Sequence, residues 1–196
     1  GAPVTSTLMG LGAYPAQDRA WLGMLGMHGT YEANMAMNRA DLVVCIGARF
    51  DDRVTGRLDA FSPDSRKIHI DIDRASINKT VQVDLPVVGD CAVVLSQIIA
   101  GWHARGHKAR DLAEWHARID GWRARKSLYY PTKSAEIMPQ RAIERLYELT
   151  RHRAPIISTE VGQHQMWAAQ HFHFMQPNKW LTSGGLGTMG YGLPAA

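Results

Sequence analysis

The fold of this chain is indicated by the run Leu42-Val43-Val44-Cys45-Ile46-Gly47, an unbroken apolar stretch that ends in glycine. Such continuous runs are typical of parallel strands that are covered on both faces. Residues 67–73 alternate with period two, and residues 86–89 form another short strand-like run. Helical patterns separate these runs, so the first hundred residues predict a parallel sheet with helices on both faces.

The segments before and after this predicted sheet also show helix and strand patterns. Thr30 can cap a helix over Tyr31–Arg39, and Val4–Leu8 is predicted to form a short strand. An apolar stripe at steps of three and four predicts a helix near residues 112–122. A break at residues 129–132 precedes a second α/β unit. Its predicted elements are helices near 139–150 and 163–171, strands at 155–159 and 180–182, a glycine-rich turn and a new helix.

Composition narrows the class of protein. The chain has 196 residues, is 45% hydrophobic and carries a formal charge of +4. It has no run near the ~18 apolar residues that a membrane span requires. The surplus charge is local, because residues 101–126 hold seven Lys/Arg against three Asp/Glu. Cys45 and Cys91 lie in apolar runs, which suits a reducing compartment and a cytoplasmic location.

Four loops that follow predicted strands carry groups suited to ligands, since parallel sheets bind ligands beyond the carboxyl ends of their strands. In the loop after residues 42–46, Arg49 and Arg53 offer forks for phosphate or carboxylate, and Asp51 and Asp52 can hold those forks. The alternative is a solvated loop whose ion pairs cancel. The spacing alone does not decide between the two.

Two further loops contain carboxylates. Asp71, at the end of a strand, can accept hydrogen bonds from ribose hydroxyls, or it can cap the following turn. Gly89-Asp90 precedes a helix whose N–H groups favour an anion or a polar ligand edge, although Asp90 can cap that helix instead.

The fourth loop belongs to the second unit. Glu160-Val161-Gly162-Gln163-His164 joins a strand to a helix N-terminus, which is an arrangement suited to phosphate. Residues 183–192 then place five glycines among ten residues, although they match neither a P-loop nor Gly-x-Gly-x-x-Gly. Since each glycine has a conformational entropy cost, this density indicates a flat ligand or a phosphate.

Four stretches together resemble the large catalytic subunits of the acetolactate synthase (acetohydroxyacid synthase) family of thiamine-diphosphate enzymes. They are residues 25–29, 47–56, 160–167 and 185–196, which begin Leu25-Gly26-Met27, Gly47-Ala48-Arg49, Glu160-Val161-Gly162 and Gly185-Leu186-Gly187. The resemblance covers nearly the whole chain in the family's order. It implies an internal stretch of such a subunit, inactive alone. The implied fold is a Rossmann-like doubly wound parallel sheet followed by the start of a thiamine-diphosphate-binding α/β domain.

The resemblance also implies domains and residue roles. Residues 1–105 correspond to a central FAD-contacting domain that lacks its N-terminal part, residues 106–135 to a helical linker, and residues 136–196 to the opening of the diphosphate domain. The implied substrate-binding residues are Arg53 and Met27. The implied FAD-binding residues are His28, Gly29, Gly47, Ala48, Arg49, Asp51, Asp71, Ile72, Gly89 and Asp90. The implied thiamine-diphosphate residues are Gly162, Gln163, His164, Gly187 and Met189.

The implied reaction joins two pyruvates, or pyruvate and 2-oxobutyrate, with loss of CO2, in branched-chain amino-acid biosynthesis. The implied cofactors are thiamine diphosphate, Mg²⁺ and FAD, the last without net redox. The activating glutamate is expected before Gly1 and the Mg²⁺ ligands beyond Ala196, so neither catalytic nor metal residues are predicted here. The implied partners are 2-keto acids, further copies of the chain as a dimer or tetramer, and a small regulatory subunit.

Three alternatives remain at this point. Other thiamine enzymes, including glyoxylate carboligase and FAD-independent acetolactate synthases, share the architecture, although the Arg49–Arg53 loop favours the FAD-containing branch. A nucleotide-binding module without catalysis would use only the first unit. RNA binding through residues 105–126 would use arginines beside Trp115 and Trp122, but the shared stripe of these tryptophans favours a helix packed on its own domain.

Overall fold

The structure, a computed structural model, describes residues 1–196 and contains seven strands and six α-helices. The strands are β1 (Val4–Ser6), β2 (Trp21–Met24), β3 (Leu42–Ile46), β4 (Arg66–Asp71), β5 (Leu85–Val88), β6 (Ile157–Thr159) and β7 (Trp180–Thr182). The helices are α1 (Tyr31–Arg39), α2 (Asp52–Thr55), α3 (Cys91–Ala104), α4 (Ala113–Arg123), α5 (Pro139–Thr150) and α6 (Gln163–His171). None of the helices has the length and apolar character that a membrane crossing requires.

Every pair of neighbouring strands is parallel. β1 pairs with β2, β3 and β5 flank β4, and β6 pairs with β7. In the three-stranded sheet, Ile46 lies opposite Ile70 and Asp71 lies opposite Val88. These registers confirm the parallel α/β class, and they bring the carboxyl ends of β3, β4 and β5 to one edge.

Helix α1 begins where the sequence predicts. Thr30 accepts a hydrogen bond from the N–H of Ala33 at 3.1 Å and donates its own hydroxyl proton to the carbonyl of Leu22 at 2.5 Å. This side chain therefore caps α1 and joins it to β2. Ala33 and Ala36 are buried on the inner face of the helix, where they leave room for α4.

Helix α4 packs on its own domain, as its apolar stripe predicted. Ile119 is fully buried against the small residues of α1, and Trp115 and Trp122 meet edge to face with ring centroids 5.6 Å apart. The guanidinium of Arg118 lies over both tryptophan rings, at 5.3 and 5.6 Å from their centroids. The tryptophans belong to this packed cluster, which weighs against an RNA-binding role for the segment.

Strand β3 differs from its prediction, because only one of its faces is covered. Val43 and Cys45 are buried, whereas Leu42, Val44 and Ile46 are between 44% and 48% exposed. Helix α3 packs on β4 and leaves the outer side chains of β3 largely uncovered. An unbroken apolar run therefore forms a strand with one buried face.

The two units share a core. Leu11 and Met24 of the first unit pack in one cluster with Phe172, Phe174 and Trp180 of the second. The loop after β1 approaches the second unit so closely at Gly12 (φ +86°) that a Cβ there would lie 2.1 Å from the carbonyl oxygen of Gln176. Met24 is thus a core residue.

Candidate cofactor and substrate site

Three loops that carry predicted ligand-binding residues lie side by side at one edge of the sheet. The N–H of Gly47 donates to the carbonyl of Ile70 at 2.8 Å, so the pairing of β3 with β4 continues into the first loop. The N–H of Gly89 donates to the carbonyl of Asp71 at 3.0 Å and does the same for β5. The left-handed conformation of Gly47 (φ +62°) then turns the chain into Ala48 and Arg49.

In the first loop, Arg49 pairs with the carboxylate of Asp51. Asp51 also caps α2 by accepting a hydrogen bond from the N–H of Arg53 at 3.0 Å. This backbone bond and, more weakly, the charge of Arg49 hold the pKa of Asp51 below its ordinary value of 3.8. The ion pair that the sequence offered as an alternative therefore exists, and it occupies Arg49 rather than Arg53.

Arg53 remains accessible to a ligand. Its side chain is 69% exposed, and its guanidinium is 4.0 Å from the carboxylate of Asp52. The N–H of Met27 donates to the carbonyl of Arg53 at 2.8 Å, and the side chain of Met27 is also exposed. The structure thus brings the two predicted substrate-binding residues together, so that a cationic fork lies beside a flexible apolar side chain.

The loop that contains Met27 is held from both sides. Asn34 on α1 donates to the carbonyl of Gly26 at 2.9 Å and accepts from its N–H at 2.7 Å. Gly26 (φ +89°) lies so near that a Cβ would be 2.4 Å from the carbonyl oxygen of Arg53. His28 and Gly29 continue this loop after β2, and the carbonyl of His28 accepts from Gln170 of α6 at 2.9 Å. These two predicted FAD residues therefore lie between the loop of Arg53 and the second unit.

The carboxylates after β4 and β5 have different roles. Asp71 Oδ1 accepts the N–H of Asp73 at 2.8 Å, while Oδ2 has only His69 Nε2 nearby, at 3.6 Å. Asp90 accepts from the N–H groups of Ala92 and Val93 at 2.9 and 3.1 Å and so caps α3. Asp71 retains an acceptor for a hydroxyl donor, whereas Asp90 has its first oxygen committed to the helix. Ile72, next in the chain, is 71% exposed.

Sequence reasoning missed His69 and Phe50. His69 is fully buried on β4, and neither ring nitrogen has a hydrogen-bond partner. Phe50 adopts the left-handed conformation (φ +52°), which is uncommon for a bulky residue. Its buried ring packs edge to face on His69, with centroids 5.1 Å apart. The available signal was the period of β4, which places Lys67, His69 and Asp71 on one face.

In the second unit, α6 begins at Gly162 without a side-chain cap. The first-turn residues Gln163 and His164 therefore present their N–H groups to the space beyond β6. Behind them, buried Gln165 donates to Thr182 Oγ1 at 2.7 Å, and Thr182 Oγ1 lies 2.9 Å from Thr159 Oγ1. This buried network joins the first turn of α6 to the ends of β6 and β7.

The glycine-rich turn is anchored beside the same strand end. Glu160 accepts the N–H of Gly190 at 2.7 Å, and Ser158 donates its hydroxyl to the carbonyl of Gly192 at 2.7 Å. A Cβ at Gly192 would lie 2.6 Å from the nitrogen of Glu160, so this glycine permits the close approach. Gly187 (φ +66°) and the exposed Met189 lie in the same turn, near the predicted residues of α6.

The groups present suit two kinds of ligand. At the first edge, formed by the carboxyl ends of β3, β4 and β5, the unengaged oxygen of Asp71 suits a hydroxyl donor and the exposed Arg53 suits a carboxylate. FAD, with its ribose hydroxyls, has the matching chemistry. At the second edge, formed by the carboxyl ends of β6 and β7, the N-terminus of α6 has no side-chain cap and lies beside a glycine-rich turn. This arrangement suits a diphosphate and an aromatic ring, as in thiamine diphosphate.

The arrangement defines an α/β cofactor-binding protein, and family comparison gives its class. Residues 1–98 match the thiamine pyrophosphate enzyme central domain. Residues 160–196 match the C-terminal TPP binding domain of the same enzymes. The chain belongs to the thiamine pyrophosphate enzyme family.

Within that family, the chain is similar to acetolactate synthases. It is 50% identical over 195 residues to the acetolactate synthase large subunit of Haemophilus influenzae, which covers 99% of this chain and 34% of that protein. It is 50% identical over 196 residues to the isozyme 3 large subunit of Escherichia coli, with the same coverage. Acetolactate synthase 1, chloroplastic, of Zea mays is 47% identical over 199 residues, covering 100% of this chain and 31% of that protein. The chain spans about a third of the length of these relatives.

Proposed function

We propose that the protein containing this chain is the large catalytic subunit of an acetolactate synthase. The observation that carries the proposal is 50% identity to such subunits over nearly every residue of the chain. The proposed reaction joins pyruvate to a second pyruvate, or to 2-oxobutyrate, with loss of CO2. The products, 2-acetolactate and 2-aceto-2-hydroxybutyrate, are precursors of valine, leucine and isoleucine.

Thiamine diphosphate, when bound, supplies the thiazolium carbon at which the first keto acid loses CO2. In this proposal the N–H groups of Gln163 and His164 bind the diphosphate at the uncapped start of α6, after Gly162. Gly187 and Met189 line the aminopyrimidine ring from the glycine-rich turn. Support comes from the hydrogen bond between Glu160 and Gly190, which keeps this turn beside β6.

The second keto acid binds at the first edge. The fork of Arg53 accepts its carboxylate, because a planar guanidinium matches two carboxylate oxygens. Met27 provides the apolar side of the same pocket, and its backbone bond to Arg53 supports the pairing. These two residues would orient the acceptor keto acid, Arg53 through its carboxylate and Met27 through its apolar side chain.

FAD is proposed to lie across the strand ends without taking part in net redox. Its contacts would come from His28 and Gly29, from the Gly47–Asp51 loop, from Asp71 and Ile72, and from Gly89 and Asp90. The unengaged Asp71 Oδ2 supports a ribose hydroxyl contact. The competing candidate is an FAD-independent acetolactate synthase, in which these residues would only shape the sheet edge.

The remaining assignments follow the resemblance alone. We propose that residues 1–105 form the central domain, 106–135 a linker and 136–196 the start of the diphosphate domain. The activating glutamate and the Mg²⁺ ligands would lie in parts of the relatives that this chain does not cover. Assembly as a homo-oligomer with a small regulatory subunit and a cytoplasmic location also remain predictions.

The decisive experiment measures acetolactate formed from pyruvate by the full-length protein with thiamine diphosphate and Mg²⁺, with and without FAD. We expect activity that collapses when FAD is removed. Replacement of Arg53 by Gln should lower acetolactate formation roughly a hundredfold, because a charged carboxylate contact is lost, while CO2 release from pyruvate persists. Arg57→Gln removes a neighbouring arginine that pairs only with Asp59 and serves as the control.

Each result distinguishes one part of the proposed function from its alternative. Absence of acetolactate would exclude the proposed activity, and activity indifferent to FAD would favour the FAD-independent alternative. An Arg53→Gln enzyme as active as Arg57→Gln would remove Arg53 from the substrate site and leave the rest of the proposal in place.

A further inference from the structure

His69 is the polar side chain that the proposed function leaves without a role. It is fully buried near the carboxyl end of β4, and both ring nitrogens lack a hydrogen-bond partner. Buried polar side chains in folded proteins are paired in the large majority of cases, so an orphaned pair of nitrogens calls for an explanation. A leucine or methionine would fill the same space without this penalty.

The surroundings of His69 differ from those of Lys67, the other buried basic side chain on the strand. Lys67 lies two residues earlier on the same face and donates to the carbonyls of Ser62 and Ser65 at 2.8 and 3.0 Å. The ammonium group of Lys67 therefore has hydrogen-bond acceptors within the protein. His69 lies one step nearer the ligand edge and has no such carbonyl, although its burial is deeper.

His69 connects two of the candidate ligand loops. Its ring packs edge to face on Phe50, which belongs to the Arg49–Arg53 loop and packs in turn on Phe61 with centroids 5.9 Å apart. Its Nε2 points toward the end of β4, where Asp71 Oδ2 lies at 3.6 Å. That separation is longer than a hydrogen bond, so the two groups are neighbours that a small movement would join.

The carboxylate of Asp71 has one fixed oxygen and one open oxygen. Oδ1 accepts the N–H of Asp73 at 2.8 Å, which anchors that side of the group. Oδ2 accepts no hydrogen bond from the protein, and the Nε2 of His69 lies 3.6 Å from it. A carboxylate that must accept a ligand hydroxyl in one orientation needs a second anchor, because rotation about its bond to Cβ is otherwise limited only by Asp73.

We propose that His69 is a positioning residue for the flavin-nucleotide site, whose Nε2–H donates to Asp71 Oδ2 and holds the carboxylate toward a ribose hydroxyl. The inference rests on the proposed function, since it requires FAD at this edge. His69 does not touch the ligand itself and acts through Asp71. The competing interpretation is that its ring only fills space beneath Phe50.

The test uses the full-length apoprotein and measures the Kd for FAD by titration of flavin fluorescence at one pH. His69→Met keeps length and packing but removes the donor, and we expect FAD binding to weaken by roughly tenfold, the effect of one hydrogen bond to a charged group. His69→Gln places an amide N–H near the position of Nε2 and should restore the Kd to within about threefold of the parent. Rescue by Gln is a result that a space-filling role would not produce.

Lys67→Met is the matched control, since it also removes a buried donor from the same face of β4 but leaves Asp71 untouched. Its Kd for FAD should equal that of the parent. In an Asp71→Ala background, His69→Met should have no further effect, because the two residues act in series. If His69→Met does not fold, the comparison of His69→Gln with His69→Asn decides, because the shorter amide does not reach the position of Nε2.

The possible outcomes distinguish the role of His69 from the proposed binding of FAD. A parent protein that binds no FAD would overturn the flavin assignment and this inference with it. A parent that binds FAD while His69→Met binds it equally well would overturn the inference alone. Weakening that Gln does not rescue, or that Lys67→Met reproduces, would assign His69 to packing.

Discussion

Helices α3 and α6 both begin just beyond the carboxyl ends of parallel strands, but their N-termini differ. The side chain of Asp90 accepts two N–H groups at the start of α3, whereas α6 begins at Gly162 with no side-chain cap. A capped terminus has part of its positive potential neutralised by the carboxylate, while an uncapped one remains open to an anion. This difference supports the proposal that the diphosphate binds at α6 rather than at α3.

The charges around the two termini follow the same division. At the first edge, Arg49 is paired with Asp51, and Asp71 offers an acceptor rather than a donor. At the second edge, the polar groups behind α6 are the neutral side chains Gln165, Thr159 and Thr182. The nearby carboxylate of Glu160 accepts the N–H of Gly190 and does not cap α6, so the first-turn N–H groups of α6 remain available to an anion.

The largest expected effect comes from giving α6 the cap that α3 already has. Gly162→Asp places a carboxylate at the N-cap, where it competes with the diphosphate for the same N–H groups and repels it. We expect the affinity for thiamine diphosphate to fall roughly a hundredfold, from the combined loss of about 2–3 kcal/mol. The measurement is a thiamine diphosphate titration of the full-length protein by intrinsic fluorescence.

The control for this change must reproduce its backbone strain. Gly162 has φ +151°, and a Cβ would meet the His164 ring at 3.1 Å, so any side chain is strained there. Gly162→Ala carries this strain without the charge and should weaken binding much less than Gly162→Asp. Equal losses in the two variants would mean that strain, rather than the anion preference of α6, explains the result.

The reverse change removes the cap from α3. Asp90→Ala leaves the N–H groups of Ala92 and Val93 without their acceptor, at a cost of about 1 kcal/mol in local stability. Hydrogen exchange of these two amides should accelerate about fivefold, while the affinity for thiamine diphosphate stays unchanged.

Asn is nearly as good a cap as Asp, so Asp90→Asn should retain slow exchange at Ala92 and Val93. If Asp90→Asn exchanges as fast as Asp90→Ala, the negative charge matters more than the acceptor. An altered affinity for thiamine diphosphate in either variant would contradict the separation of the two helix ends.

Elements with a local signal were predictable from the sequence. Thr30 gave the start of α1, and the steps of the apolar stripe placed α4, because capping and helical periodicity act over a few residues. Strand β2 was missed, since Gly23 interrupts it with φ +91° and packs against Thr30, a contact between separate segments. The helix predicted after the glycine-rich turn does not form: residues 189–190 and 192–195 form turns, and the N–H of Ala195 donates to the carbonyl of Tyr191.

Some features of the candidate site were also predictable from the sequence, and others were not. The residue types and strand-end positions of Arg53 and Asp71 were readable, but which carboxylate pairs with which arginine was not, because Asp51 and Asp52 are equivalent by spacing. His69 was missed since an alternating strand gives no sign of whether its buried face is satisfied. Whether a buried polar side chain finds a partner depends on the loops that pack against the strand. For Lys67, these loops supply the carbonyls of Ser62 and Ser65.

The smallest expected effect is the pH dependence of the stability that Asp51, paired with Arg49 at the first edge, provides. The folded pKa of Asp51 lies below its ordinary value of 3.8, chiefly because the N–H of Arg53 donates to it, with smaller contributions from the Asp52 side chain and from the charges of Arg49 and Arg53. A carboxylate with a depressed pKa contributes stability above its unfolded pKa and loses that contribution as the pH falls through the folded value. Asp51→Asn should therefore be less stable than the parent at pH 7, by no more than about 1 kcal/mol.

The difference between parent and Asp51→Asn should shrink only below about pH 4, since the unfolded carboxyl begins to take up its proton there. Urea unfolding midpoints of the full-length protein at pH 7, 5, 4 and 3.5 measure it. Asp52→Asn is the matched control, because its carboxylate is 78% exposed and lies 4.0 Å from Arg53, so its stability should follow the parent at every pH. A constant gap between Asp51→Asn and the parent down to pH 3.5 would contradict the prediction that the charge of Asp51 provides this stability.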